Sequence, residues 1–150
     1  SLAVGGYAKA EYALEVTLKY MDEREAFGKK INQFQVLRHR IAQMYAEMEL
    51  VKHFCYSIYE RYQTGEFMVK EASMAKLLGT QLSDKVTFEC LQMFGGYGYM
   101  EDYPMARMWR DSRLGQIGGG TSEIMCEIIS KMMIEGKGYV KPKVKQTAPV

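Results

Sequence analysis

The chain has 150 residues, 47% of them hydrophobic and 25% charged, a composition typical of a globular domain. This length supports one hydrophobic core without a metal or disulfide staple. A net charge of +2 is too small to indicate a nucleic-acid partner, and no apolar run approaches the roughly 18 residues of a membrane span. Disordered, collagen-like, nucleic-acid-binding and membrane-spanning classes are therefore disfavoured.

The cysteines Cys55, Cys90 and Cys126 are odd in number, far apart and each within an apolar stretch. We expect three buried thiols in a reducing compartment, either a bacterial cytoplasm or a mitochondrial matrix. The chain begins with Ser1 in the middle of a pattern, without a starting methionine, so we expect a piece of a longer protein.

Apolar residues recur at helical spacing through the first part of the chain. From Tyr7 to Met21 they predict a first helix, closing at Gly28. From Phe34 to Tyr62 the spacing alternates between three and four, which predicts a long amphipathic helix. The pair Thr64-Gly65 ends that pattern.

Three further helices are predicted. The third runs from Met68 to Met93, contains small residues that suggest close packing, and stops at Gly95-Gly96; a short fourth runs from Pro104 to Arg113. The last follows the glycine loop at 118–120, has a broad apolar face and ends near Gly136.

No β-type alternation of useful length is visible. The pattern predicts an all-α fold, an antiparallel up-and-down helical bundle of four main helices and a short one. Residues 137–150 are polar, basic and punctuated by proline, and we expect a flexible tail.

The histidines do not indicate a metal site. Di-iron bundles use Glu-x-x-His pairs, and neither His39 nor His53 has a glutamate three residues before it. Cys55 is close to His53 in sequence, but residues two apart on a helix point to different faces. We expect surface or partly buried imidazoles and no metal ligands.

Three glycine-containing junctions are candidate sites: R-E-A-F-G-K-K at 24–30, Q-M-F-G-G-Y-G-Y at 92–99 and Q-I-G-G-G-T-S-E at 116–123. Each also has a simpler interpretation. The first junction would place cations in a last helical turn, the second would end a helix, and in the third Thr121 would cap the N-terminus of the next helix. The third loop leads into a helix start, where unpaired backbone N–H groups favour a phosphate.

Taken together, these motifs resemble the C-terminal helical domain of the acyl-CoA dehydrogenase family, over Leu2 to about Ile134. The resemblance depends on R-E-A-F-G-K-K-I at 24–31, Gln35, Q-M-F-G-G-Y-G-Y at 92–99, Y-P at 103–104, R-D at 110–111 and G-G-G-T-S-E-I at 118–124. It implies one helical domain over residues 1–136, with the parent's N-terminal helical and middle β domains outside this chain.

The resemblance implies FAD bound between two subunits. It assigns Arg24, Phe27 and Gln35 to one subunit's contact with the neighbour's cofactor. It assigns the adenosine-diphosphate half to Gln92, Met93, Phe94, Gly95 and Gly96. Thr121 and Glu123 match further FAD contacts, although many relatives have glutamine in place of Glu123. Tyr20, Gly119 and Gly120 match substrate-side positions, with core packing an equal alternative for Tyr20.

The implied reaction is α,β-dehydrogenation of acyl-CoA thioesters, in fatty-acid or branched-chain acyl oxidation. A carboxylate takes the α-proton, and many relatives carry it at the position of Gly119. Long-chain and isovaleryl-like relatives place it on the first helix instead, three residues before Ser1. We therefore expect no catalytic residue in this chain, neither Glu101 nor Glu123, and an inactive isolated piece.

The resemblance implies three partners: an acyl-CoA substrate, electron-transfer flavoprotein as electron acceptor, and other copies in a dimer of dimers. An alternative is a helical oligomerisation domain of a flavin monooxygenase-like or redox-silent relative. The 12 methionines and 11 tyrosines support that alternative, because both side chains suit adaptable interfaces.

Overall fold

The structure is a computed structural model that describes residues 2–136. The helices are α1 (Leu2–Glu23), α2 (Gln35–Gln63), α3 (Val69–Phe94), α4 (Gly96–Tyr99), α5 (Met105–Arg113) and α6 (Ser122–Ile134). A two-stranded antiparallel hairpin, β1 (Glu25–Ala26) and β2 (Lys29–Lys30), follows α1. Single 3-10 turns lie at Ile31–Gln33 and Leu114–Gln116. The predicted tail at 137–150 lies outside the described residues.

The all-α prediction is confirmed, and α2, α3, α5 and α6 begin and end within a few residues of their predicted bounds. Met44, Met48, Val51 and Cys55 are the buried residues of α2, at spacings of four and three. The sequence periodicity therefore marked the face of α2 that packs on the bundle. Within residues 2–136, no helix is long and apolar enough to cross a membrane.

Small residues bring α1 and α3 into backbone contact, as the sequence suggested. A Cβ at Gly6 would overlap the carbonyl oxygen of Gly79, and one at Gly79 would lie 2.8 Å from the carbonyl oxygen of Ala3. Around this crossing the core is filled by long flexible side chains and a few branched ones. Its most deeply buried large members are Met21, Met44, Met48, Met105 and Val86.

The first helix does not close at Gly28, and that prediction is wrong. It ends at Glu23, and the next residues form the β1–β2 hairpin, so a short β element exists where none was predicted. Phe27 and Gly28 turn the hairpin with φ of 53° and 77°. Two successive residues with positive φ are what a two-residue hairpin turn requires, so the freedom of Gly28 serves this turn.

The prediction that all three cysteines are buried is correct for Cys55 and Cys90 and wrong for Cys126. Cys126 lies on α6, where Met125 is the buried residue. The predicted broad apolar face of α6 is largely solvent-facing in a single chain, with Ile124, Met133 and Ile134 exposed. Both histidines are on the exposed surface of α2, as expected.

Candidate cofactor-binding site

A cleft of about 510 Å³ lies between the end of α1 and the junction of α3 with α4. It is lined by Tyr20, Arg24 and the segment 92–97. Two of the three motif junctions predicted from the sequence, 24–30 and 92–99, therefore meet in space.

The aromatic floor of this cleft is held together by Tyr20. Its ring stacks on Phe94 with centroids 4.0 Å apart, and its hydroxyl donates to the carbonyl oxygen of Phe94 across 3.3 Å. Burial raises the pKa of the Tyr20 phenol further above neutral pH. Of the two interpretations left open for Tyr20, the geometry favours packing.

Arg24 presents an exposed cation that has no anionic partner within residues 2–136. Its backbone N–H donates to the carbonyl oxygen of Tyr20 and its carbonyl accepts from Ile31, each across 2.9 Å. Its exposed guanidinium lies over the ring of Tyr97, with Cζ 5.2 Å from the centroid. Within residues 2–136, no carboxylate lies within ion-pairing distance of it. A planar cation so held suits a phosphate or carboxylate from outside the chain.

The glycines of the cleft leave room for such a group. Gly95 has φ 58° and ψ −137°, a conformation that is essentially restricted to glycine. Gly96 does not have a positive φ, and a Cβ there would meet nothing within 4 Å. The packing of this chain does not require glycine at 96, so the open backbone fits the close approach of a ligand. Gln92 is exposed beside it, and its amide has no partner within the described residues.

Phe27 and Gln35 lie outside the cleft lining. Phe27 is 95% exposed at the hairpin turn, and its ring contacts the edge of Phe34 at 6.2 Å between centroids. Phe34 immediately precedes Gln35, the exposed first residue of α2. An aromatic ring presented to solvent on a residue with positive φ fits contact with another molecule better than it fits an isolated chain.

The remaining predicted residues lie in the loop before α6. Gly119 and Gly120 have φ of 64° and 96°, and the hydroxyl of Thr121 accepts from the N–H of Ile124 across 3.4 Å. Thr121 is therefore the predicted N-cap. The backbone N–H of Glu123, then the Thr121 hydroxyl, hold the pKa of the Glu123 carboxyl below its usual range. The side chain of Glu123 is thus an anion at neutral pH.

Lys76 is a site residue that the sequence analysis missed. It is 7% exposed on α3, and its Nζ donates to the carbonyl oxygen of Gly120 across 2.5 Å. Burial lowers the pKa of its ammonium, and the nearby carboxylate of Glu123 opposes that shift. A signal existed, because Lys76 lies three residues after Ser73 and three before Gly79, both on the packed side of α3.

Residues 1–134 match the model of the acyl-CoA dehydrogenase C-terminal domain. The chain belongs to the acyl-CoA dehydrogenase family.

Two curated family members illustrate the similarity. The mitochondrial long-chain specific acyl-CoA dehydrogenase of Sus scrofa is 35% identical over 85% of this chain and 30% of its own length. The acyl-CoA dehydrogenase of Bacillus subtilis is 39% identical over 85% of this chain and 34% of its own length. The chain thus spans about three tenths of the length of the curated relatives it matches.

Solved structures agree with this acyl-CoA dehydrogenase fold. The acyl-CoA dehydrogenase of Geobacillus kaustophilus superposes with a TM-score of 0.87 at 37% identity, covering 89% of this chain and 35% of that one. A structure described as an FAD complex of PigA superposes with a TM-score of 0.82 at 27% identity, covering 87% of this chain and 34% of that one.

This acyl-CoA dehydrogenase domain keeps its two candidate clusters apart. Leu2 lies beside Gly119, with its Cδ1 2.6 Å from where a Cβ would stand, whereas Tyr20 packs on Phe94. The stretch of α1 between Leu2 and Tyr20 spans about 27 Å. One copy therefore does not bring Thr121 and Glu123 to Arg24. Within the described residues no group of three metal-ligating side chains occurs.

Proposed function

We propose that residues 1–136 form the C-terminal helical domain of an FAD-dependent acyl-CoA dehydrogenase that oxidises acyl-CoA thioesters between the α and β carbons. The observation that carries this proposal is the guanidinium of Arg24, which has no ion-pair partner within residues 2–136, beside the open backbone of Gly95-Gly96. The names of the relatives and the FAD complex among the similar structures support it.

The cleft residues fit the diphosphate of FAD. Arg24 would donate its planar N–H groups to the phosphate oxygens, and Gly96 would let those oxygens approach the backbone. The amide of Gln92 would supply a further donor at the same edge. FAD, when bound, supplies the acceptor for the hydride that leaves the β-carbon.

The separation of the two clusters supports a cofactor shared by two copies. Arg24 would bind FAD held by a neighbouring copy, and Thr121 of that neighbour would contact the same molecule. A pair of copies gives each cofactor both kinds of contact, and we propose that two such pairs assemble as a dimer of dimers.

A mixed oligomer tests this sharing directly. Full-length Arg24→Ala and Thr121→Ala chains carrying different affinity tags are co-expressed, and the doubly tagged oligomer is purified and titrated with FAD. If the contacts come from two copies, half of the sites in a mixed pair have both native residues and bind with the unmodified affinity. If every site in that oligomer binds weakly, the contacts come from one copy and the sharing proposal fails.

We also propose that the base lies three residues before Ser1, on a preceding turn of the helix that contains α1. The side chain of Leu2 lies against Gly119, and the residue four positions earlier would lie on the same helix face one turn away. A glutamate there would reach the space above the loop and accept the α-proton of the substrate. A parent with no acidic residue at that position would contradict this assignment.

The reaction itself is tested on the full-length parent. Its flavin absorbance is recorded anaerobically before and after addition of saturated acyl-CoA thioesters of increasing length and branching. Bleaching with one class of substrate supports the proposal and identifies that class. Bound flavin that no acyl-CoA bleaches favours the flavin monooxygenase-like or redox-silent alternative.

Electron-transfer flavoprotein is the acceptor we propose for the reduced enzyme. A caffeyl-CoA reductase–Etf complex subunit of Acetobacterium woodii is 36% identical over 84% of this chain and 33% of its own length, which supports this partner. Reoxidation of the substrate-reduced parent by added electron-transfer flavoprotein, faster than by oxygen, is the expected result.

Bacterial cytoplasm and mitochondrial matrix are the compartments we propose, because relatives come from both kinds of source.

A purely assembling domain is the second candidate function. The exposed apolar residues Ile124, Met133 and Ile134 of α6 favour it, because they suit contact with other copies. Absence of flavin from the purified full-length parent, together with an intact oligomer, would support this candidate over the dehydrogenase.

A further inference from the structure

The guanidinium of Arg24 lies over the ring of Tyr97 in the cleft. The guanidinium carbon lies 5.2 Å from the ring centroid, within the range of a cation–π interaction. We propose that Tyr97 is a positioning residue for the cofactor site: its ring holds the Arg24 guanidinium flat, with the N–H edge free for the diphosphate. This inference rests on the proposed FAD site.

Tyr97 is itself firmly held. Gly98 lies next to it, and a Cβ there would overlap the carbonyl oxygen of Leu91, so α4 folds directly back on α3. The ring of Tyr97 packs on Tyr103 at 5.4 Å between centroids, and Tyr103 in turn packs on Phe94 at 5.8 Å. The aromatic surface under Arg24 is therefore fixed by the bundle.

A stacked guanidinium retains all its donors. In the proposed arrangement the ring contacts the face of the planar group, whereas the N–H bonds lie in its plane, so a diphosphate can bind the edge while the ring contacts the face. Arg24 has no carboxylate partner within residues 2–136 that would orient it instead. Orientation before binding reduces the side-chain entropy that is lost when the ligand arrives.

The experiment measures FAD dissociation constants of the full-length apoprotein by flavin fluorescence. Tyr97→Leu is expected to weaken FAD binding about two- to fivefold, the effect of an exposed cation–π pair. Tyr97→Phe keeps the ring and is expected to bind FAD as tightly as the unmodified protein does. Tyr99→Leu is the matched control, because Tyr99 is on the same short helix, is exposed and lies outside the cleft lining.

A double-mutant cycle separates orientation from packing. In an Arg24→Gln background, Tyr97→Leu is expected to cause no further loss of FAD affinity, because the cation that the ring orients is gone. An equal loss in both backgrounds would overturn the proposal and assign Tyr97 a packing role.

Fluorination tests the same interaction without changing shape. Replacing Tyr97 by 3,4,5-trifluorophenylalanine draws electron density from the ring face, so FAD should bind more weakly than to Tyr97→Phe. Equal affinity of these two chains would overturn the proposal even where Tyr97→Leu fails to fold. If the unmodified full-length protein binds FAD and all Tyr97 variants bind it equally tightly, only this inference is contradicted. If the unmodified protein never binds FAD, the proposed function is contradicted as well.

Discussion

Lys76 of α3 and Gly120 of the loop before α6 are joined by a hydrogen bond of 2.5 Å from the ammonium to the carbonyl oxygen. The bond connects a buried cation in the bundle to the loop that carries Gly119 and Thr121. Met125 is the buried residue of α6, and its methyl group lies beside Gly120. The ammonium therefore ties the loop to α3.

Lys76→Met should loosen that loop. The substitution keeps an apolar side chain of similar length but leaves the Gly120 carbonyl without its donor, a loss of about 1–3 kcal/mol that is partly offset because no cation is buried. We expect faster amide hydrogen exchange over residues 118–124, measured by mass spectrometry. Lys85→Met on the same helix is the control, because Lys85 forms an exposed ion pair with Glu47. Unchanged exchange in Lys76→Met would contradict the anchoring role.

Neighbouring glycines on α1 should respond in opposite directions to alanine. At Gly5 a Cβ would meet nothing within 4 Å, so Gly5→Ala should stabilise the helix by about 0.5–1 kcal/mol. At Gly6 it would overlap the carbonyl oxygen of Gly79, so Gly6→Ala must separate α1 from α3 and should cost more than about 3 kcal/mol. Urea unfolding followed by circular dichroism checks both. Similar effects of the two variants would show that the helices do not cross at Gly6 and Gly79.

A side chain at Gly119 should destabilise the chain, and more so while Leu2 is present. Its φ of 64° costs an L-residue about 1–2 kcal/mol, and Leu2 Cδ1 lies 2.6 Å from the Cβ position. We expect Gly119→Ala to lower the free energy of unfolding. The loss should be smaller in a Leu2→Ala background, because the contact with Leu2 Cδ1 is then absent. Gly118→Ala is the control, because a Cβ there makes ordinary contact at 3.4 Å. Strictly additive effects of the Leu2 and Gly119 substitutions in urea unfolding would refute the contact.

The helices could be predicted because their apolar spacing records a buried face. Met44, Met48 and Val51 are buried at the spacing that predicted α2. The β1–β2 hairpin could not be predicted in this way, because two-residue strands are too short to show alternation. Its turn also requires a positive φ at Phe27, a conformation uncommon outside glycine.

Periodicity also does not say what covers an apolar face. The pattern of α6 is as regular as that of α2, yet Cys126 and Ile124 are exposed in a single chain. For the site, the motif residues were found in sequence, but their arrangement into two clusters at opposite ends of α1 required the structure. Lys76 was missed because a lysine inside an apolar pattern usually indicates a solvent-facing position.

The thiol of Cys90 should make the chain less stable at alkaline pH. Burial raises the pKa of this thiol to about 11 from its ordinary value of 9.0. The unfolded chain therefore loses the thiol proton first, and between about pH 9 and 11 ionisation favours the unfolded state. The stabilisation is complete below the unfolded pKa and is lost as pH rises through the folded one, by roughly 3 kcal/mol in total.

Cys90→Ala removes this ionisation. We expect the variant to lose about 1 kcal/mol at neutral pH, from the space it leaves in the core, and to show a flatter decline of unfolding free energy between pH 9 and 11. Tyr7, whose pKa is raised to about 12 by its hydrogen bond with Tyr56, contributes equally to both chains and cancels in the difference. Cys126→Ala, at the exposed cysteine, should show the same decline of unfolding free energy between pH 9 and 11 as the unmodified chain. If the unfolding free energies of Cys90→Ala and of the unmodified chain decline in parallel with rising pH, the buried thiol does not govern alkaline stability.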